Sequence, residues 1–185
     1  MTNWVLATFA SCCIATIQVT PDWLGLPVAG LSVNPASYFR PPCDLLELNR
    51  EYVGALNYKR HQALASAPIV RFDSNLLFGT VQHNQRMQEQ DSLFHDYATF
   101  HAELVGGIAD VEPYRNNPRK LAHYIWSRFN ASPKHAAIQQ DVALQYVSIS
   151  CSSNYFVVRL DTHPSKLHRD EQVWYRQWLA AQSTP

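Results

Sequence analysis

The first clear hydrophobic pattern along the chain has the three- and four-residue spacing of an α-helix. It begins after Asp44, a residue type that caps helices, and Pro68 closes it. Its apolar positions are Leu45, Leu48, Tyr52 and Leu56, and its last turns carry Arg60 and His61. We therefore expect a helix that starts at residue 45, buries one face and ends near Leu64.

A second pattern of the same kind follows after a short break in the chain. A helix is predicted to start at Asp73 or Ser74 and to continue through Gln90, with a glutamine-rich outer face. Its apolar and near-apolar positions are Leu76, Leu77, Thr80, Val81 and Met87. The next segment, 93–107, mixes aromatic, His and Glu residues and ends in two glycines, so we expect a loop or a single helical turn there.

A third helix and a β-hairpin complete the central part of the chain. Asn117 is a suitable N-cap, Pro118 suits the first helical position, and Pro133 is expected to end the helix. The β-rich segments 146–150 and 155–161 are separated by a short polar stretch, a spacing that favours an antiparallel hairpin.

The order of these elements predicts the fold class. Helices first and a hairpin later indicate an α/β (α+β) fold, in which helices cover a small antiparallel sheet. No glycine-rich phosphate loop follows a strand, so no nucleotide site is predicted. One further helix is expected over 170–182, with Val173, Trp174 and Trp178 on one side.

The chain divides into four parts by composition. These are an apolar leader over 1–20, a Pro-rich connector over 21–42, a folded domain over 43–162 and a C-terminal extension over 163–185. The leader has the length of a signal peptide and is too short for a comfortable bilayer span, so export is expected. A lipid-anchored Cys12 and an apolar arm that packs on the domain are the alternatives.

The charge balance excludes some classes of partner. Fifteen basic and 15 acidic residues give a formal net charge of +0. Binding to nucleic acid or to an anionic membrane surface usually needs a net basic face, so neither partner is predicted. The length of 185 residues and the apolar fraction of 46% suit a single core.

Two features depend on the compartment in which the protein folds. Cys43 and Cys151 are the only cysteines outside the leader, and in an oxidising compartment they are the obvious disulfide pair. Asn130-Ala131-Ser132 has the pattern of an N-glycosylation acceptor in a eukaryotic secretory pathway, although Pro133 follows it directly. The alternative interpretation of this tripeptide is a helix end with small polar residues.

The best candidate for a chemical site consists of His95, Glu103 and His135. Two imidazoles and a carboxylate are ligand types that bind zinc, and the same groups serve acid–base chemistry. Catalytic zinc sites often have two ligands one helical turn apart, which is a spacing that this chain lacks. Because no nucleophile stands in a G-x-S-x-G pattern either, the residues alone indicate only a metal or acid–base cluster.

Short motifs that recur in order through the domain resemble those of a known superfamily. They lie at 56–60 and 70–76 (similar to N-x-x-R and L-x-W-D-x-x-L), at 102–105 (G-E-N-[IL]), at 129–135 (W-x-x-S-P-G-H), and at 146–150 and 155–158 (I-G-V-G and Y-Y-x-x-Q). The superfamily is that of cysteine-rich secretory proteins, antigen 5 and pathogenesis-related proteins, the CAP or SCP domain. Its bacterial members are the most similar in motif.

The resemblance implies an α-β-α sandwich with a surface cleft in which two His and two Glu meet. By that resemblance His95 and His135 are the imidazoles that face zinc or another divalent cation, and Glu103 is their acidic partner. The family's second glutamate has no counterpart, so the four-residue site is incomplete. The resemblance also makes Asn57, Arg60 and Asp73 structural motif residues.

Three functions follow from these observations. The preferred one is a secreted, non-catalytic binding module that takes a protein or lipid ligand. The second is a metal-dependent hydrolase in which zinc on His95 and His135 generates hydroxide and Glu103 acts as base. The third is a structural subunit that docks into a larger assembly through the N-terminal arm and the C-terminal helix.

Overall fold

The structure is a computed structural model that describes residues 41–96 and 102–166 together with Val173 and Arg176. Within those residues the chain forms both α-helices and β-strands. In order they are α1 (Leu45–Ala63), β1 (Arg71–Phe72), α2 (Ser74–Gln90), β2 (Ala102–Gly107), α3 (Pro118–Asn130), α4 (Pro133–Gln140), β3 (Tyr146–Cys151) and β4 (Tyr155–Asp161).

The three predicted helices begin where their caps were expected. The side chain of Asp44 accepts a hydrogen bond from the Glu47 amide at 2.9 Å, and that of Asn117 accepts one from the Lys120 amide at 3.0 Å. Asp73 caps α2 in the same way. Each cap satisfies an amide that has no partner inside the first helical turn, which is why the sequence pattern located these starts correctly.

The strands form one four-stranded sheet in the order β1-β3-β4-β2. β3 and β4 are the predicted antiparallel hairpin, and β2 pairs antiparallel with β4 from Ala102 opposite Leu160 to Gly107 opposite Tyr155. β1 adds a two-residue parallel pairing to β3, so the sheet is mixed rather than purely antiparallel. The predicted α/β (α+β) fold is confirmed.

Helices cover both faces of this sheet, which makes the fold an α-β-α sandwich. Successive side chains of a strand point to opposite faces, so each strand contributes to two layers. The apolar face carries Leu104, Val147, Ile149, Phe156, Val158 and Leu160, and it packs against α1 and α3. The polar face carries Glu103, Ser148, Ser150 and Arg159 beside Val105 and Val157, and it packs against α2.

Two asparagines attach α1 to the sheet. Asn49 donates to the Ile149 carbonyl and accepts from the Ile149 amide, both at 2.8 Å, and its side chain is buried. Two turns further along α1, Asn57 makes the same pair of contacts with the Val70 backbone, at 2.9 and 2.7 Å. Val70 precedes β1, which pairs with the start of β3, so α1 runs antiparallel to β3.

Two elements differ from the expectation. Segment 93–107 was expected to be a loop or one helical turn, but its last six residues form β2, an edge strand that only its pairing with β4 reveals. Pro133 was expected only to end α3; it also occupies the first turn of α4, which the sequence did not indicate. In α4 only Gln139 is buried, so no amphipathic pattern marks it.

The leader over 1–20, nearly all of the connector over 21–42, and Trp174 and Trp178 lie outside the described residues. Of the predicted C-terminal helix, Val173 and Arg176 are described, and both are helical. Among the described residues, no helix is long and apolar enough to cross a membrane.

Candidate functional site

The polar face of the sheet holds a compact group of ionisable side chains beneath α2. Glu103 of β2 lies opposite Arg159 of β4, and their side chains are only 3% and 4% exposed. Buried charges of this kind occur in proteins only where they are paired and hydrogen-bonded. We call the group the Glu103 cluster; its members are His83, Arg86, His95, Asp96, Glu103 and Arg159.

Both carboxylate oxygens of Glu103 are engaged. Oε2 accepts from Arg159 Nε at 2.9 Å. Oε1 accepts from the Asp96 amide at 2.9 Å and lies 3.2 Å from His95 Nδ1. The carboxylate therefore joins β2 to β4 and also holds the segment that follows α2 in place.

Arg159 bridges two carboxylates. Besides Glu103 it contacts Asp96, with Nη2 at 3.0 Å from Oδ2, and Arg86 donates to the same oxygen. Burial alone would raise the pKa of Asp96, but the charges and hydrogen bonds of Arg159 and Arg86 hold it below the usual aspartate value. Gly79 of α2 makes room for the guanidinium, because a Cβ there would lie 2.6 Å from Arg159 Nη1.

His83 is the most deeply buried member of the cluster, with no exposed side-chain surface. Its Nε2 lies 2.9 Å from the Phe94 carbonyl, which can only accept, and Arg86 approaches Nδ1 at 3.3 Å as a donor. These partners match a neutral ring with the proton on Nε2. Burial is the main reason that the pKa of His83 is lowered, and it outweighs the opposing effect of Glu103.

His95 is the histidine of the cluster that reaches the surface. Its side chain is 35% exposed, and Nδ1 faces the Glu103 carboxylate, a geometry that matches a ring with a proton on this nitrogen. Arg86, which contacts the adjacent Asp96, is 46% exposed, and Leu93, two residues before His95 in the chain, is 51% exposed. We call these three residues the His95 surface.

The arrangement restricts the chemistry that Glu103 can perform. A general base must reach the substrate proton directly or through one water, and this carboxylate is buried with both oxygens engaged. It is placed to orient the His95 ring, as carboxylates do behind many metal-binding imidazoles. Of the two histidines and Glu103, it is His95 that is exposed enough for proton transfer or metal contact.

The structure brings together two of the three residues singled out from the sequence. His95 and Glu103 are in contact, whereas the ring of His135 packs edge-on against Phe129 with centroids 5.4 Å apart. Phe129 in turn packs on Phe156, which belongs to the apolar face. His135 thus lies in the α1 and α3 layer, and Glu103 points to the other side of the sheet.

No group of three His, Cys, Asp or Glu side chains among the described residues is arranged to hold a metal ion. The zinc site on His95 and His135 stays a prediction, and in this arrangement the two imidazoles do not share one cluster.

The three motif residues each stabilise a junction of the fold. Asn57 binds the backbone before β1, and Arg60 is buried with its guanidinium donating to the carbonyls of Gln139 and Leu144, both at 2.7 Å. Asp73 caps α2 and also accepts from the Ser165 amide at 2.6 Å. None of the three belongs to the Glu103 cluster.

The residues whose roles depend on the compartment lie apart from the cluster. Cys43 and Cys151 are both buried and present as free thiols. Asn130 is the exposed last residue of α3, so its side chain is accessible to a glycosylating enzyme. Both the disulfide and the glycosylation stay predictions.

Sequence reasoning missed four members of the cluster. For His83 a signal was present, because it stands three residues after Thr80 and four before Met87, on the buried face of α2. Arg159 likewise interrupts the apolar alternation of β4. Asp96 and Arg86 gave no such signal, because only the fold brings them to Arg159.

Comparison of the chain with protein-family models, with curated proteins and with solved structures found no match. The resemblance to the CAP superfamily accordingly stays a prediction that rests on the motifs.

Proposed function

We propose that this protein is an exported binding module of the CAP type, and that its His95 surface binds a segment of another protein without chemical turnover. The observation that carries the proposal is the state of Glu103, whose two oxygens are buried and engaged by Arg159, the Asp96 amide and His95. A carboxylate held in this way is suited to support a surface rather than to react.

The composition of the His95 surface favours a protein ligand. Arg86 and His95 offer donors, and Leu93, two residues before His95 in the chain, offers exposed apolar area. A combination of arginine, aromatic-ring and apolar side chains is typical of protein interfaces. Because Glu103 fixes the backbone of Asp96, the surface is ordered before binding, which lowers the entropic cost of association.

Selection of peptides from a random displayed library on the wild-type chain tests this proposal. The selected peptides are then titrated by calorimetry against Leu93→Ser and, as a matched control, Leu46→Ser, since Leu46 is similarly exposed at 48% but lies on α1. We expect Leu93→Ser to weaken binding about tenfold and Leu46→Ser to leave it unchanged.

Three results would overturn the proposal. The first is equal binding by Leu93→Ser and the wild-type chain, because the peptides would then occupy another surface. The second is hydrolysis of chromogenic esters or peptides that disappears in Glu103→Gln. Cosedimentation with phosphatidylglycerol vesicles that is lost in Leu93→Ser would replace the protein ligand by a lipid.

A metal-dependent hydrolase is the second candidate, and the contact between His95 Nδ1 and Glu103 favours it, because such a pair orients a metal ligand. Calorimetric titration with zinc chloride of the wild-type chain, His95→Ala and His135→Ala tests it. Stoichiometric binding lost in both variants supports the hydrolase, and binding that only His95→Ala removes contradicts a site shared with His135.

A further inference from the structure

Cys43 and Cys151 both lie in the core between α1 and the apolar face of the sheet. Cys43 directly precedes the N-cap Asp44, and Cys151 is the last residue of β3. Both side chains belong to the main hydrophobic core, and Cys43 and Cys151 are 6% and 0% exposed.

The antiparallel course of α1 and β3 brings the two thiols to the same end of their interface. Asn49 binds the backbone of Ile149, and from Asn49 back to its first residue, Leu45, the helix spans about 6 Å. Cys43 lies two residues before Leu45 in the chain. Two residues beyond Ile149, β3 advances about 7 Å to Cys151 in the same direction. Ile149 and Cys151 lie on the same side of β3, the side that faces α1.

The electrostatics of the two thiols agree with this proximity. Burial raises the pKa of Cys43 to about 12. Burial also raises the pKa of Cys151, and the Cys43 thiol adds to that rise. A thiolate is the reactive form in disulfide exchange, so neither thiol reacts readily once the core has closed around it.

We propose that Cys43 and Cys151 form an intramolecular disulfide that ties the start of α1 to the end of β3. The bond forms during folding, by exchange with a small-molecule disulfide such as glutathione disulfide. One cysteine thiolate attacks that disulfide and releases one glutathione thiol; the second cysteine thiolate then attacks the mixed disulfide and releases the other. The two protons and two electrons of the cysteines leave with the two reduced glutathione molecules.

Such a bond would have a large effect on stability because of the length of chain it closes. A loop of about 100 residues loses much of its freedom in the unfolded state when its ends are joined. The proposal does not depend on the His95 surface, which lies on the other side of the sheet. Its failure would therefore leave the proposed binding function untouched.

The experiment uses the full chain with Cys12→Ser and Cys13→Ser, so that only the two core thiols remain. The chain is refolded with reduced and oxidised glutathione and then denatured in N-ethylmaleimide, which alkylates free thiols. Its mass is measured by mass spectrometry before and after reduction. We expect no maleimide before reduction, two after it, and a peptide map that joins Cys43 to Cys151. No core residue is substituted, so the result does not depend on a variant that folds poorly.

A second readout connects the bond to stability. Reduction should lower the melting temperature of this chain by about 10 °C. The chain that also carries Cys43→Ala and Cys151→Ala should show no change on reduction. Two maleimides before reduction, disulfide-linked dimers, or a melting temperature that reduction leaves unchanged would each overturn the proposal.

Discussion

The two faces of the sheet hold their helices by different kinds of contact. On the apolar face, Ile149 and Val158 are fully buried against α1 and α3, and the contact consists of close-packed apolar surface. On the polar face, Ser148 and Arg159 are just as deeply buried, yet they meet α2 and β2 through hydrogen bonds and ion pairs. Alternate residues of the same two strands supply both layers.

This difference shows which layer of the fold tolerates substitutions of buried side chains and which does not. Apolar packing is non-directional, so the loss of a methyl group lowers the free energy of unfolding by a limited amount, which increases with the volume of the cavity left behind. A buried charge network is directional, and removing one partner leaves the others without compensation. The polar face is accordingly the layer that ties the stability of the fold to pH and to the surface around His95.

The largest effect is expected when the central ion pair is broken from one side. Glu103→Leu and Arg159→Met should each lower the free energy of unfolding by about 3–5 kcal/mol, because each leaves a buried charge without its main partner. The double variant should lose clearly less free energy of unfolding than the two single variants lose together. Urea unfolding at neutral pH measures all three.

An exposed ion pair provides the control for that cycle. Glu112 and Arg115 contact each other on the surface, and Glu112→Gln should not change stability measurably. Strictly additive losses for Glu103→Leu and Arg159→Met would show that the two side chains are not coupled, and the distinction between the two faces would fail.

The neighbouring residue on the same strand tests the apolar face. Leu104 is fully buried on the side opposite Glu103, and Leu104→Ala should cost about 3 kcal/mol from lost burial and the cavity left behind. Because no ionisable group is involved, the loss should be the same by urea unfolding at pH 7.0 and pH 5.5. A loss that changes between the two pH values would contradict the assignment of Leu104 to a purely apolar layer.

Overpacking the apolar face should have a smaller effect. A Cβ on Gly106 would lie 2.4 Å from the ring of Phe156, which is buried between Tyr124 and Phe129 and has little room to move. Gly106→Ala should therefore cost about 2 kcal/mol. Gly107→Ala is the matched control, because its Cβ would meet only the Asn154 carbonyl at an ordinary 3.7 Å; thermal unfolding that ranks Gly107→Ala as the more damaging change would refute the expectation.

The smallest effect is the pH dependence that His83 gives to the polar face. Its pKa is lowered in the folded state mainly by burial, so the unfolded chain takes up a proton first as the pH falls. The stability contributed by the neutral ring is complete above about pH 6.5 and declines below it by at most about 1.4 kcal/mol per pH unit, until the folded pKa is reached.

Replacement of His83 isolates that contribution. His83→Gln should remove this part of the decline between pH 7.0 and pH 5.5, whereas His123→Gln, at an exposed position of α3, should retain it. Urea unfolding at the two pH values is the measurement. An unchanged pH dependence in His83→Gln would show that the decline comes from other groups.

The sequence located the elements whose signals are local. Asp44, Asp73 and Asn117 mark helix starts because a side-chain oxygen near its own chain is enough to cap an amide. The hairpin of β3 and β4 was predicted for the same reason, since its two strands are neighbours in the chain. β2 and α4 were not predicted, because β2 is recognised by its partner strand and α4 by the side chains it touches.

The candidate site was predicted only in part. The contact between His95 and Glu103 was expected, and the structure has it. His135 was expected beside them, but a sequence motif does not state on which face of a sheet a distant helix will pack. The partners that engage Glu103 most closely, Arg159 and the Asp96 amide, come from a strand and a segment that the motif did not include.

By itself the sequence determined the fold class, the three capped helices, the hairpin and a balanced charge, because each depends on residues close together in the chain or on composition alone. Only the tertiary structure decided which side chains share a layer. Strand pairing set Glu103 opposite Arg159, and the packing of α2 placed His83 above them. Contacts between distant segments depend on that three-dimensional arrangement, and the spacing of residues along the chain does not encode it directly.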